Sequence, residues 1–403
     1  MKKYLAIILA CMMLICVFAG CGQKAVTESP AADASAPATG DKVVKIGVFE
    51  PASGDNGAGG KQEALGVQYA NTVQPTVDIG GETYKVELVP VDNQSSNDKA
   101  VSAAQELVSA GVSVVLGSYG SSVCMAASDT FKNAGIPAIG ITATNPNVTA
   151  GNTHYFRICF LDPFQGTVLA NFAKDQFQSE KAYCLAKLGD DYSVGLCNYF
   201  KEAFEKLGGE VVYETFPDGN SDFSSYVTNA KNSGADVFFA PVSTDAAALI
   251  IDQANAQGIT MPILAGDTWD SNVILKAAKD KAVKVYVTTF YQEGGNAEFD
   301  AGFKAWLESD STALASNNGD TTIAAVSAMG YDAYFVALEA LKAAGTTDSK
   351  AVNEAIWKVN YTGVSGAIAF DSVNGDAIRD TAYVKTANTE TGAWDFVGVQ
   401  TAK

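Results

Sequence analysis

Ser121, Ser122, Thr142 and Thr144 are the residues whose types and spacing best suit chemistry. They follow two apolar runs, residues 112–116 and 136–141, separated by a helical segment and by Gly135. Strand, crossover helix and strand make a βαβ unit, with the hydroxyl residues just past the strand ends. In open α/β sheets that is where ligands bind. A helix beginning near Ser121 or Ser122 aims free N–H groups and the positive end of its dipole into the same place. The site suits a small carboxylate. The alternative is that Ser121 caps the helix and Thr142 and Thr144 are turn residues, which are ordinary roles for Ser and Thr.

Other chemistries fail on spacing. Gly60-Lys61 invites a phosphate-loop reading, but Asp55 and Gln62 stand where Gly and Ser or Thr are required. His154 is the one histidine, so multi-histidine metal sites are excluded, and it reads as a surface or packing residue. No GxSxG elbow occurs. Asp191 and Asp267 are acids that nothing orients around a scissile bond. An enzyme, a metal and a cofactor are therefore not expected.

The elements that must position the hydroxyl cluster repeat along the chain. Apolar runs at 43–49, 86–91, 112–116 and 136–141 alternate with helical segments and form one parallel domain. The pattern restarts at Asp162-Pro163, with strands at 182–186, 210–213, 237–240 and 263–265 between helices, implying a second doubly wound domain. After a strand at 283–289 come helices at 297–308, 321–344 and 349–359, then apolar residues at 367–371 and strands at 380–385 and 394–399. Two domains followed by such additions suggest that the chain crosses back between them.

The 403 residues carry a net charge of −18, which argues against nucleic-acid binding and a polybasic membrane patch. Lys2-Lys3, an apolar run to Ala19 and then Gly20-Cys21 read as a targeting segment. Removing residues 1–20 takes the charge to −20, because both lysines leave. The segment resembles a bacterial lipoprotein lipobox, with Cys21 the lipidated residue and Phe18 where Leu is usual; an ordinary signal peptide is the alternative. The Ala, Ser and Pro-rich stretch at 23–42 reads as a tether. Cys124, Cys159, Cys184 and Cys197 show no CxxC spacing and read as buried apolar residues.

Taken in order, several strings resemble one family. They are Ile46-Gly47-Val48, Pro51 to Gly54, Ser121-Ser122, Ala143 to Pro146, Phe156-Arg157, Asp162, Gln165-Gly166, Asp191-Tyr192, Asp222 to Ser224, Gly266-Asp267, Trp269-Asp270 and Tyr331-Asp332. The chain from 43 to 403 is similar to the Leu/Ile/Val-binding protein family, type I periplasmic binding proteins of branched-chain amino-acid ABC transporters. The resemblance implies an α/β fold of two doubly wound parallel-sheet lobes joined by three crossovers. It places residues 43–161 with 290–378 in lobe one and 162–289 with 379–403 in lobe two.

It also implies that Ser121, Thr142 and Thr144 hold a ligand α-carboxylate, Asp267 holds the α-ammonium, and Tyr192 covers the ligand on closure. Ser243 and Trp269 join the expected ligand-binding set. Gly59 stands where such binders carry a bulky aromatic and Ser243 where a tyrosine is usual, so a roomier, more polar pocket is expected. Ser95 and Gly120 replace the paired cysteines of the first lobe. The implied function is an extracytoplasmic, lipid-anchored protein that passes a small amino acid, centrally a branched-chain one, to an ABC permease. The alternatives are a ligand sensor using the same cleft, or a binder of amides, urea or aromatic acids.

Overall fold

The computed structural model describes residues 42–402. Strand β1 (Val43–Glu50) is buried along most of its length, as a near-continuous apolar strand at the centre of a parallel sheet must be. Helix α1 (Gly57–Val73) follows, and strands β2 (Thr76–Ile79) and β3 (Glu82–Asp92) pair as a hairpin around Gly80-Gly81. Then come α2 (Asn97–Ala110), β4 (Val114–Leu116), α3 (Ser121–Ala134), β5 (Ala138–Gly140) and β6 (Tyr155–Arg157). The six strands form one sheet in the order β2-β3-β1-β4-β5-β6, all parallel except the hairpin.

The second unit begins with α4 (Asp162–Phe177), β7 (Lys181–Lys187), α5 (Asp191–Lys206), β8 (Glu210–Phe216), α6 (Ser224–Asn232) and β9 (Val237–Phe239). It continues through α7 (Thr244–Ala256), β10 (Ile263–Ala265), α8 (Asn272–Ala278) and β11 (Val285–Thr289). Helices α9 (Ala297–Ser309), α10 (Ser311–Ser316), α11 (Ala325–Ala344) and α12 (Ser349–Ile356) come next. The hairpin β12 (Asn360–Gly363) and β13 (Gly366–Ala369) precedes β14 (Ala382–Asn388) and β15 (Ala393–Gln400). The second sheet runs β15-β14-β11-β10-β9-β7-β8, with β14 and β15 antiparallel.

The architecture is two α/β lobes. The chain passes between them after β6, after β11 and after β13, because α11 and α12 share a hydrophobic core with the first sheet while β14 returns to the second. The contact of α1 with α11 fixes the wall of the cleft. A Cβ on Gly66 would lie 1.9 Å from the Ser327 carbonyl oxygen, and one on Gly330 would lie 2.2 Å from that of Glu63. The two backbones therefore meet with only hydrogens between them.

Several boundaries differ from the sequence reading. The helix expected from 321 starts at Ala325, and 317–322 are instead held by Asn317, whose amide donates to the carbonyls of Asp320 and Thr322. Strand β6, helix α8 and helix α10 are too short to show a period. The four cysteines at 124, 159, 184 and 197 are buried and free, as read. The lipobox with Cys21 and the tether lie outside the described residues.

Candidate functional site

On the first lobe the site is built from the ends of β4 and β5. Ser121 is the first residue of α3, with Gly120 in the cap position, so its hydroxyl does not cap its own helix. Instead Ser121 Oγ accepts the backbone N–H of Asn145 at 3.3 Å. That joins the helix start to the loop carrying Thr142 and Thr144. The loop is set from below by Arg157, fully buried, whose guanidinium donates to the carbonyls of Ala143 at 2.9 Å and Asn145 at 2.7 Å. It also reaches Thr149 Oγ1 at 2.5 Å and pairs with Asp376 at 2.6 Å. The Thr144 hydroxyl, held in this frame, is buried beside the Asp162 carboxyl, with no other partner among the described residues.

The second lobe supplies Tyr192 and Asp267. Asp190 caps α5 by accepting the Ser193 N–H, which fixes Tyr192 in the first turn. Asp267, only 1% exposed, opens a tight turn after β10. Its Oδ1 accepts from Gln165 Nε2 at 3.0 Å and from the Tyr192 hydroxyl at 3.3 Å. Burial pushes its carboxyl up to about 7, against the lowering pull of the Gln165 and Tyr192 hydrogen bonds.

The two lobes meet here. The Tyr119 hydroxyl donates to the Thr268 carbonyl at 3.0 Å, and Ser122 Oγ donates to Asp191 Oδ2 at 2.9 Å. Asn145 Nδ2 reaches the Asp191 carbonyl at 2.8 Å, and Lys187 pairs with Asp55 at 2.6 Å. Deeper in, Gln62 bonds both Ser271 and Asn272. Ser121, Thr142, Thr144, Tyr192 and Asp267 are thus buried about one closed interlobe seam.

Two expected members stand elsewhere. Trp269 is fully buried in the core of the second lobe, with its indole N–H donated to the Val242 carbonyl at 3.1 Å, so it packs and braces instead of facing a ligand. Ser243 precedes α7 and lines a cavity of about 370 Å³ at the rim, beside Asp55, Lys187 and Asp218. The expectation of a roomier pocket at Gly59 also fails. A Cβ on Gly59 would lie 2.4 Å from Tyr119 Cζ, so the tyrosine ring occupies the space that the glycine leaves.

Sequence reasoning missed Tyr119 and a pair of acids. Glu50 ends β1 and Glu63 lies one turn past Gly59 on α1, 4% and 0% exposed. Glu50 Oε2 accepts the Tyr119 N–H at 2.8 Å, and Glu63 Oε2 accepts the Thr142 hydroxyl. Burial, then the charge of Glu63, raises Glu50 well above the carboxylate range; burial takes Glu63 to about 8. An acid at the end of an otherwise apolar central strand was the available signal. Among the described residues no group of three or more metal-ligating side chains gathers, and no helix is long and apolar enough to cross a membrane.

A periplasmic binding protein family model matches residues 43–392. The chain belongs to that family. This binding protein is 29% identical over 365 residues to Leu/Ile/Val-binding protein homolog 1 of Brucella abortus, covering 88% of the chain and 93% of the relative. Its fold matches the leucine-binding protein LivK of Thermotoga maritima with a TM-score of 0.80 at 32% identity, covering 89% and 99% of the two chains. LivJ of Streptococcus pneumoniae, a branched-chain amino-acid transporter substrate-binding protein solved with isoleucine, gives 0.76 at 26% identity, covering 89% and 99%. These relatives are solute-binding proteins, and the family places its members outside the cytoplasm.

Proposed function

We propose that this binding protein captures a free amino acid between its two lobes and delivers it to an ABC permease. The reading rests on one observation: hydroxyl donors and a carboxyl without a counter-ion are buried in the same interlobe seam. Thr144 Oγ1 faces only the Asp162 carboxyl, and Asp267 makes no ion pair, among the described residues. A zwitterion supplies what each lacks, its carboxylate meeting Ser121, Thr142, Thr144 and the start of α3, its ammonium meeting Asp267. Tyr192, already bonded to Asp267, closes over it. The names of the relatives make leucine, isoleucine and valine the first ligands to test. We take 43–161 with 290–378 and 162–289 with the remainder as the two moving lobes, and Cys21 as a lipid anchor to the cell membrane.

Thermal unfolding tests the reading, on protein stripped of carried ligand by unfolding and refolding. A true ligand at a hundred times its dissociation constant adds about 2.7 kcal/mol. Asp267→Ala is expected to abolish that gain while leaving the ligand-free protein folded. An amino acid that binds Asp267→Ala with unchanged affinity removes the ammonium assignment. A panel in which only amides, urea or aromatic acids raise the midpoint removes the amino-acid reading.

A further inference from the structure

Glu50 and Glu63 have no part in holding an α-carboxylate or an α-ammonium, yet they border the same site. Each has one oxygen supplied with a donor, from Tyr119 N–H and the Thr142 hydroxyl respectively. The other oxygen of each is buried with none. Apart from the neighbouring carboxyl, neither free oxygen faces a donor among the described residues, so the pair is settled only by holding a proton. The remaining titratable groups that act on them are Cys124 from α3, Tyr119 from the loop before it, and Asp267 from the other lobe. None is a cation, and no lysine or arginine pairs with either acid among the described residues.

A second observation is independent of the acids. The Tyr119 ring lies against Gly59, and its hydroxyl is tied to the Thr268 carbonyl. It therefore fills the space beside Gly59 and takes room at the seam from any ligand lying there. Gln165, fully buried, brings a further unpartnered oxygen, Oε1, while its amide nitrogen is bonded to Asp267. The surroundings of the site are thus rich in acceptors. A branched aliphatic side chain would leave the acid pair protonated, whereas a cation could bond both oxygens in place of the proton.

We propose that Glu50 and Glu63 form a side-chain subsite for a cation, so that the preferred ligand is a basic amino acid with a short side chain. The proposal rests on the reading that Asp267 and the Ser121–Thr144 loops hold the α-groups. On binding, the carboxyl O–H bonds of the pair break and the protons they held pass to solvent. Side-chain N–H groups of the ligand then donate to the two carboxylates in their place.

Calorimetry separates the outcomes, using 2,4-diaminobutyrate, ornithine, lysine and arginine against norvaline and leucine. The expected result is a basic amino acid bound roughly 100-fold tighter than the neutral ones. Titration in buffers of different ionisation enthalpy should show more protons released at pH 7 by a basic ligand than by leucine, whose binding releases only the Asp267 share. Glu63→Gln keeps a neutral hydrogen-bonding group and should cut the preference to under about tenfold, with the unliganded unfolding midpoint as the check that it folds. Leucine bound as tightly as the basic ligands overturns this inference and leaves the amino-acid reading standing. So does a basic ligand bound with no more proton release than leucine, or a preference unchanged in Glu63→Gln; either makes the acids a purely structural pair. Binding of no amino acid of either kind overturns both readings.

Discussion

Gly59→Ala adds one methyl group at a first-turn position of a helix, where Ala is ordinarily preferred over Gly by up to about 1 kcal/mol. Here the added carbon would stand 2.4 Å from Tyr119 Cζ and 2.7 Å from its oxygen. An ordinary contact needs 3.4 Å or more, so the ring must move by at least about 1 Å. The ring is 5% exposed and its hydroxyl is bonded to Thr268 at 3.0 Å. Displacing it costs about 1–3 kcal/mol of overpacking and about 0.5–1.5 kcal/mol of hydrogen bond. Set against the helix gain, the net loss is about 2 kcal/mol. In a Tyr119→Leu background the side chain no longer reaches Gly59, and the same methyl group should be neutral or stabilising. Urea unfolding of the four proteins measures the coupling, expected at about 2–3 kcal/mol. Equal costs for Gly59→Ala in both backgrounds would refute the claim that Tyr119 fills the space beside Gly59.

Three further predictions use the same assays. Burial raises the Asp267 carboxyl to about 7, so the folded protein keeps a proton that the unfolded chain releases near pH 4. Stability of the ligand-free protein is therefore highest below pH 4 on this account and falls, by an order of a few kcal/mol, as pH rises to 7; a flat urea midpoint across that range refutes it. Because an ammonium ligand needs the ionised form, affinity should weaken about tenfold for each pH step below 7, readable by calorimetry. Arg157→Lys leaves Asp376 and the carbonyls of Ala143, Asn145 and Pro146 underserved and should cost about 3–5 kcal/mol, not rescued by Asp376→Asn, in the same unfolding assay. Lys187→Ala removes an interlobe pair at the half-exposed rim and should weaken ligand binding only about twofold to fivefold, an effect lost in 1 M salt.

The two sheets were legible because their central strands are apolar runs separated by capped helices: β1, β4, β5, β7 and β10 all fall within one or two residues of their expected places. Ser121, Thr142, Thr144, Tyr192 and Asp267 were named from strand ends and a family resemblance, and all five lie buried at the seam; that they hold a ligand is our proposal. What could not be read was side-chain reach across the chain. Tyr119 meets Thr268 over 149 residues, Gln62 meets Ser271 over 209, and Lys385 meets Asp270 over 115. No local period records such pairs. Gly59 shows the error this produces. A missing side chain was read as room, but its space is filled by a residue sixty positions away, and only packing could reveal that.

The closed seam explains why a ligand would be needed to hold it. Asp267, Glu50 and Glu63 stand in surroundings with almost no exposure and, among the described residues, no cation paired with them. The interlobe bonds of Tyr119, Ser122, Asn145 and Gln62 favour closure, but each replaces a bond to water and contributes only about 1 kcal/mol. Keeping acids dry opposes them, and it can be met by protonation or by a bound cation. With the lobes apart, water would hydrate Asp267, so a ligand with an ammonium group would remove that opposition only on closure. Its differential affinity for the two forms is then set by these carboxyls, and that difference alone can shift the population toward closure. The same acids that make the empty seam costly would make the occupied one a distinct signal for a permease.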